Sequence, residues 1–128
     1  MEDLLRLADD TIGKELAVYL REKGLHLVPG YLKHDCKHII LGYGMDEAGE
    51  AAMQFYFLGN RHYSVPVVMT CMFCVLLMPE NWRMFSYEFR KGRNAPAFPE
   101  LDPSLAVTMK TADLRDKVNY RYNYENRN

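Results

Sequence analysis

Cysteine and tryptophan are few in this sequence, and neither sign of charge dominates it. Its 128 residues include three cysteines, six prolines and one tryptophan, and the formal net charge is -1. Three thiols, two of them in an apolar run, do not make a disulfide framework, so we expect reduced cysteines in a cytoplasmic protein. A near-neutral chain also lacks the positive field that draws proteins to nucleic acid, and we expect no nucleic-acid partner.

The sequence also lacks an apolar run long enough to cross a membrane as one helix. Residues 65–78 carry no charge, but the run is shorter than the roughly 20 residues that span the hydrocarbon layer. We therefore expect a buried core helix here, and contact with a membrane surface stays open. A chain of this length can bury enough apolar surface to fold as one small domain.

The hydrophobic pattern predicts helices and gives no convincing strand. Apolar residues recur at helical spacing, and glycines, prolines and capping residues divide the pattern into segments. We expect an all-α, single-domain bundle of five to six helices, over residues 3–23, 31–41, 46–58, 66–78, 82–91 and 112–118. A surface loop is expected at 94–103. The helical domain then covers residues 1–118, and a polar tail covers 119–128.

The residues that carry chemistry lie between positions 34 and 50. His34-Asp35-Cys36-Lys37-His38 is followed by eleven residues and then by Glu50. Positions three and four apart share a helix face, so His34 and His38 should project together with Asp35 beside them. A short glycine-containing loop then leads into the next helix. In an antiparallel helix pair, Glu50 would lie at the height of His38.

Two imidazoles and two carboxylates form a mixed nitrogen and oxygen donor set. We predict that His34, Asp35, His38 and Glu50 bind a divalent metal ion, with zinc favoured and iron, manganese, cobalt or magnesium as alternatives. The alternative is a structural one, a hydrogen-bonded histidine pair without a metal ion, because histidines four residues apart on a helix also occur by chance. If three of the groups bind the ion, a position opens for water or substrate. The sequence identifies no catalytic residue.

Three further groups of residues favour structural interpretations. Cys71 and Cys74 lie in an apolar run without a nearby base, which is typical of buried thiols. The methionines of the third and fourth helices are core residues by default, with a pocket for a prenyl chain as the alternative. Solvated positive charge is the simplest interpretation of the basic side chains near the end of the fifth helix, which are Arg83, Arg90, Lys91 and Arg93.

The motif itself resembles a known signature. His34-Asp35-x-x-His38, eleven residues and Glu50, with the turn Gly42-Tyr43-Gly44-Met45-Asp46 between them, is similar to the motif of the fourth coenzyme Q (ubiquinone) biosynthesis protein family. Weaker similarity extends over residues 25–118. The chain is shorter than usual members of that family, mainly before the motif.

The resemblance implies an all-helical, metal-binding protein of prenylated quinone biosynthesis, with the metal held by His34, Asp35, His38 and Glu50. The implied ligand is a prenylated quinone precursor or a prenyl lipid, and the implied protein partners are other quinone-biosynthesis proteins. The implied reaction is oxidative decarboxylation of the prenylated ring, which would make the chain a metal-dependent lyase. We expect a cytoplasmic location, with attachment to the inner membrane face as the alternative, and a homo-oligomer stays open.

Two other functions stay open on the sequence alone. One is a non-catalytic, prenyl-lipid-binding scaffold for quinone-biosynthesis enzymes, in which the metal only joins two helices. The other is a metal-dependent phosphohydrolase of the His-Asp type, which the His34-Asp35 pair resembles. That class needs a further histidine well upstream and an aspartate well downstream, and His26 is too close to serve.

Overall fold

Helices account for the regular structure in the computed structural model, which describes residues 1–125 and the side chains of residues 1–118. That part of the chain has eight α-helices and no strand, so the expected all-α fold is confirmed with more helices than the five to six expected. They are α1 (Glu2–Leu5), α2 (Ile12–Glu22), α3 (Leu32–Leu41), α4 (Glu47–Gly59), α5 (Val65–Leu77), α6 (Trp82–Asn94), α7 (Pro103–Ala106) and α8 (Thr111–Glu125), with a 3-10 turn at Pro79–Asn81. The chain groups into two compact units.

The helix expected over residues 3–23 is divided into α1 and α2. Thr11 lies in extended backbone at the break, where its hydroxyl donates to the carbonyl of Ala8 at 2.7 Å and accepts from the Lys14 N–H at 3.4 Å. The Ile12 N–H donates to the carbonyl of Met109 at 3.0 Å. Capping and backbone pairing at Thr11 therefore begin α2 as a separate helix, although helical spacing of apolar residues continues through the break.

The first unit comprises Met1–Gly42 and Pro99–Lys117. The Arg115 guanidinium joins three of its helices, because it pairs with the Glu15 carboxylate at 3.2 Å and donates to the Ile39 carbonyl at 2.9 Å. The short α7 was not expected. It begins at Pro103, which suits the first turn of a helix, and the Asp102 side chain caps it.

In the second unit, which includes Tyr43–Phe98, α4 and α6 meet backbone to backbone. A Cβ at Gly92 would lie 1.9 Å from the Tyr56 carbonyl oxygen, and a Cβ at Gly59 would lie 2.0 Å from the Phe89 carbonyl oxygen. Only glycine fits at both positions. We expected Gly92 to end its helix near residue 91, but α6 continues to Asn94 because this glycine serves helix packing.

The segment expected to form a surface loop is partly buried within the described chain. Ala95, Phe98 and Leu101 are each less than 9% exposed. The buried Asn60 amide secures the first part of the segment by donating to the Pro96 carbonyl at 2.9 Å and accepting from the Phe98 N–H at 2.8 Å. A polar side chain thus supplies the backbone partners that a buried loop needs.

Helix α5 is not the buried core helix that the sequence predicted. Cys71 is its one buried residue, and Leu76 and Leu77 are 73% and 74% exposed. No single helix in residues 1–125 is both long and apolar enough to cross a membrane. Val65–Leu77 and Pro79–Asn94 pass that test only as a pair, and the chain bends by 105° between them.

Helix α8 extends beyond the short closing helix expected over residues 112–118. It runs from Thr111 to Glu125 and therefore includes most of the expected polar tail. Residues 126–128 of that tail lie outside the described residues.

The glycine contact between α4 and α6 makes a direct prediction about stability. Replacing Gly92 by Ala should lower the free energy of unfolding by about 1–3 kcal/mol, because the new methyl group meets backbone rather than a mobile side chain. Urea denaturation measures this loss. Ser86→Ala on the exposed side of the same helix is the control and should change stability by less than about 0.5 kcal/mol. Equal stabilities for the two variants would contradict the contact.

Candidate metal centre

Helix α3 presents both candidate histidines, and its limits follow from the local sequence. It runs from Leu32 to Leu41 and ends at Gly42, whose φ of 75° is left-handed, as the sequence predicted. The Gly42 N–H donates to the His38 carbonyl at 2.8 Å and closes the last turn. His34 and His38 therefore lie on regular helix, one turn apart.

The two imidazoles lie close enough to share one ion. Their Nε2 atoms are 3.2 Å apart and their ring centroids 4.9 Å apart, with His38 buried and His34 half-buried. Two nitrogens bound to tetrahedral zinc at about 2.0–2.1 Å are about 3.3 Å apart, so the spacing fits such an ion. The same distance suits a hydrogen bond between two neutral imidazoles, which is the structural alternative.

Glu50 lies in the first turn of α4. The Asp46 carboxylate caps this helix by accepting from the Gly49 N–H at 2.8 Å, as the sequence predicted. The Gln54 side-chain amide donates to Glu50 Oε1 at 2.9 Å and so orients the carboxylate. Sequence reasoning missed Gln54, although its position four residues after Glu50 on a helix was the available signal.

The structure brings two of the four predicted ligands together within one unit, His34 and His38. Glu50 belongs to the second unit, and its part in binding stays a prediction. Asp35 is half-buried on α3, and its part in binding likewise stays a prediction. A set of two imidazoles and one carboxylate leaves room for water or substrate on a bound ion.

The cysteine next to these ligands is a weak candidate for the donor set. Burial, followed by the charge of Asp35, raises the pKa of the Cys36 thiol to about 11. Burial likewise raises the pKa of Cys71 to about 11. Both side chains are therefore protonated thiols at neutral pH, whereas the thiolate is the form that binds metals.

A buried group of polar residues in the second unit holds the start of the segment that leads to α4. The Tyr43 hydroxyl donates to Glu88, whose side chain is almost fully buried in α6. Burial and this carboxylate raise the pKa of Tyr43. The ring of Tyr56 lies beside that of Tyr43, with centroids 6.2 Å apart, and burial and Glu88 raise the pKa of Tyr56 to about 12.

Comparison with solved structures finds a protein of similar fold. The chain is similar to a Nostoc punctiforme protein whose crystal structure is described as that of a "Putative ubiquinone biosynthesis protein", with a TM-score of 0.61 and 24% sequence identity. The match covers 91% of this chain and 66% of the Nostoc chain, so this chain spans slightly less than two thirds of that protein. The sequence matches no protein-family profile and no curated protein. The likeness shows a shared helical fold.

The buried tyrosine predicts how stability depends on pH. The folded state keeps the Tyr56 proton up to a pKa of about 12, whereas an unfolded chain releases it near the ordinary value of 10.0. This contribution to stability is therefore complete below pH 10 and is lost as the pH rises from about 10 to 12. Between pH 8 and 11, Tyr56→Phe should lose about 1 kcal/mol less stability than the unmodified chain.

Urea denaturation at the two pH values measures this difference. The substitution is suitable because no described residue forms a hydrogen bond with the buried Tyr56 hydroxyl, so none is removed. Tyr63→Phe, at an exposed tyrosine, is the control and should behave like the unmodified chain. If Tyr56→Phe loses as much stability as the unmodified chain, Tyr56 is not held in its neutral form.

Proposed function

We propose that this chain is a metal-binding protein of ubiquinone biosynthesis, in which His34, His38 and Glu50 hold a divalent ion. The observation that carries the proposal is the pair of imidazole nitrogens 3.2 Å apart on α3, at the spacing that tetrahedral zinc requires. The Nostoc protein of the same fold, described as a ubiquinone biosynthesis protein, supports the pathway. The motif resemblance supports both parts.

Each residue has a defined part in this proposal. His34 and His38 supply nitrogen, Glu50 supplies oxygen, and Gln54 orients Glu50 through its hydrogen bond of 2.9 Å. Asp35 is proposed as a further ligand or as a hydrogen-bond acceptor beside the histidines. A bound divalent ion would supply Lewis-acid chemistry towards an acidic, hydroxylated ring. The reaction proposed is oxidative decarboxylation of a prenylated precursor with molecular oxygen as the oxidant. The bond between the ring and the carboxyl group breaks and carbon dioxide leaves, a hydroxyl group takes its place on the ring, and with one water the oxygen is reduced to hydrogen peroxide.

A non-catalytic prenyl-lipid scaffold is the second candidate, and a cavity in the second unit favours it. The cavity has a volume of about 390 Å³ and lies among α4, α5 and α6. Its lining is apolar except for two residues, Ser86 and Arg90; the others are Phe55, Leu58, Val75, Trp82, Phe85 and Phe89. An apolar chain with an anionic end would suit this lining. The phosphohydrolase hypothesis receives less support, because that class needs a further histidine well upstream of the motif and His26 is too close to serve.

Metal binding is tested first, with zinc as the probe. The purified chain should retain about one equivalent of metal by elemental analysis, and His38→Ala or Glu50→Gln should abolish retention. Gln54→Ala should weaken zinc binding about tenfold, because it frees the carboxylate without removing a ligand. The exposed neighbours His26→Ala and Glu47→Gln are matched controls. Full zinc affinity in both His38→Ala and Glu50→Gln would contradict the site.

A turnover measurement distinguishes the enzyme hypothesis from the scaffold hypothesis. The metal-loaded chain, given a prenylated hydroxybenzoate and oxygen, should release carbon dioxide, and His38→Ala should release none. Mass spectrometry of the ring product measures the loss of the carboxyl group. A scaffold would convert nothing, would carry prenyl lipids through purification, and would lose only thermal stability when the metal is removed. That result would contradict the catalytic proposal and leave metal binding intact.

A further inference from the structure

Helix α5 exposes more apolar surface than a surface helix of a soluble domain usually does. It contains no charged residue, and seven large apolar side chains are exposed along it: Val65, Met69, Met72, Phe73, Val75, Leu76 and Leu77. At 3.6 residues per turn these positions span roughly 200° of the helix circumference. An exposed apolar patch of this kind marks an interaction surface.

The outward face of α6 has a different chemistry. Trp82 and Tyr87 are about half exposed, and Arg83 and Arg90 lie on the same face. The carboxylate of this helix, Glu88, is buried and therefore does not contribute to the face. Amphipathic aromatic rings and arginines are the side chains that favour the boundary between lipid chains and water.

The junction of the two helices fixes how these surfaces meet. The Trp82 indole N–H donates to the Val75 carbonyl at 2.7 Å, which occupies one of the free carbonyls at the end of α5. The chain bends by 105° between the two helical segments. An apolar helix and an arginine-aromatic helix face thus lie next to each other in the same unit, with Glu80 as the exposed acidic residue in the intervening turn.

Charge and width decide which partner fits this surface. A helix that packs against one partner usually presents an apolar stripe of about 100°, which is half the arc exposed on α5. Two-fold symmetry places residues near the axis opposite their own copies, so a dimer with its axis beside Arg83 and Arg90 would bring these like charges together. Lipid headgroups of negative charge would instead pair with Arg83 and Arg90, while the apolar arc enters the upper part of the acyl layer.

We propose that α5 and the outward face of α6 dock on an anionic membrane surface. In this arrangement the exposed apolar side chains of α5 lie below the headgroups, Trp82 and Tyr87 lie at the boundary, and the arginines contact phosphate. The docking surface contains none of the candidate metal ligands. Its test is therefore independent of the metal site.

The single tryptophan makes the docking surface directly observable. Trp82 is the one tryptophan of the chain, so its fluorescence reports on this site alone. With phosphatidylglycerol vesicles in low salt, we expect a blue shift of the emission and quenching by brominated acyl chains. Pure phosphatidylcholine vesicles should bind at least tenfold more weakly, and added salt should reduce the difference.

Two variants separate the apolar and the electrostatic contributions. Leu76→Glu/Leu77→Glu should reduce binding to the anionic vesicles at least tenfold, because it places charge on the inserted arc. Arg83→Gln/Arg90→Gln should remove most of the preference for anionic lipid. Leu105→Glu, at an exposed leucine on α7, is the control and should bind as the unmodified chain does. Circular dichroism checks that each variant is folded.

Three results would overturn the proposal. The first is no blue shift with either kind of vesicle, and the second is a shift that Leu76→Glu/Leu77→Glu leaves unchanged. The third is a dimer in sedimentation equilibrium that this variant dissociates, without vesicle binding by the unmodified chain. That last result would assign the surface to a second copy.

Discussion

The second unit depends on the contact in which the backbones of α4 and α6 touch at Gly59 and Gly92. A methyl group at either glycine would meet a carbonyl oxygen at about 2 Å, so the helices can approach this closely only where both side chains are absent. The close approach lets Phe55 and Phe85 stack at a centroid distance of 4.2 Å. Packing of this density gives α4 a fixed position, and α4 is the helix whose first turn carries Glu50.

Two polar contacts extend that constraint to the start of α4. Glu88 on α6 accepts from the Tyr43 hydroxyl, and Gln54 donates to Glu50 one turn further along α4. A buried carboxylate is costly unless a donor satisfies it, so the pair of Tyr43 and Glu88 holds the chain that precedes Asp46. The candidate carboxylate ligand is therefore supported from both directions by its own unit, which is how metal ligands gain a defined orientation.

Local signals in the sequence were sufficient for much of this arrangement. Helix α3 ends at Gly42 and Asp46 caps the start of α4, as predicted, because a helix cap depends only on neighbouring residues. The spacing of His34 and His38 predicted their pairing for the same reason. The role of Gly92 could not be predicted, because a glycine in a helical pattern predicts the end of the helix unless the helix that packs against it is known. Likewise, the sequence of α5 is apolar throughout and has no periodic polar face, and composition alone does not predict whether such a helix is buried.

The exposed apolar side chains of α5 also bear on the chemistry proposed for the histidines. A prenylated ring precursor partitions into the bilayer, because each buried methylene adds about 0.8 kcal/mol to its transfer from water. A soluble domain in the aqueous phase would therefore encounter very little of such a substrate. A protein that acts on it needs a surface that stays at the membrane while its polar ligands remain in water. Under the two proposals, the apolar arc of α5 meets the first need and the imidazole pair of α3 meets the second, so each proposal requires its own support.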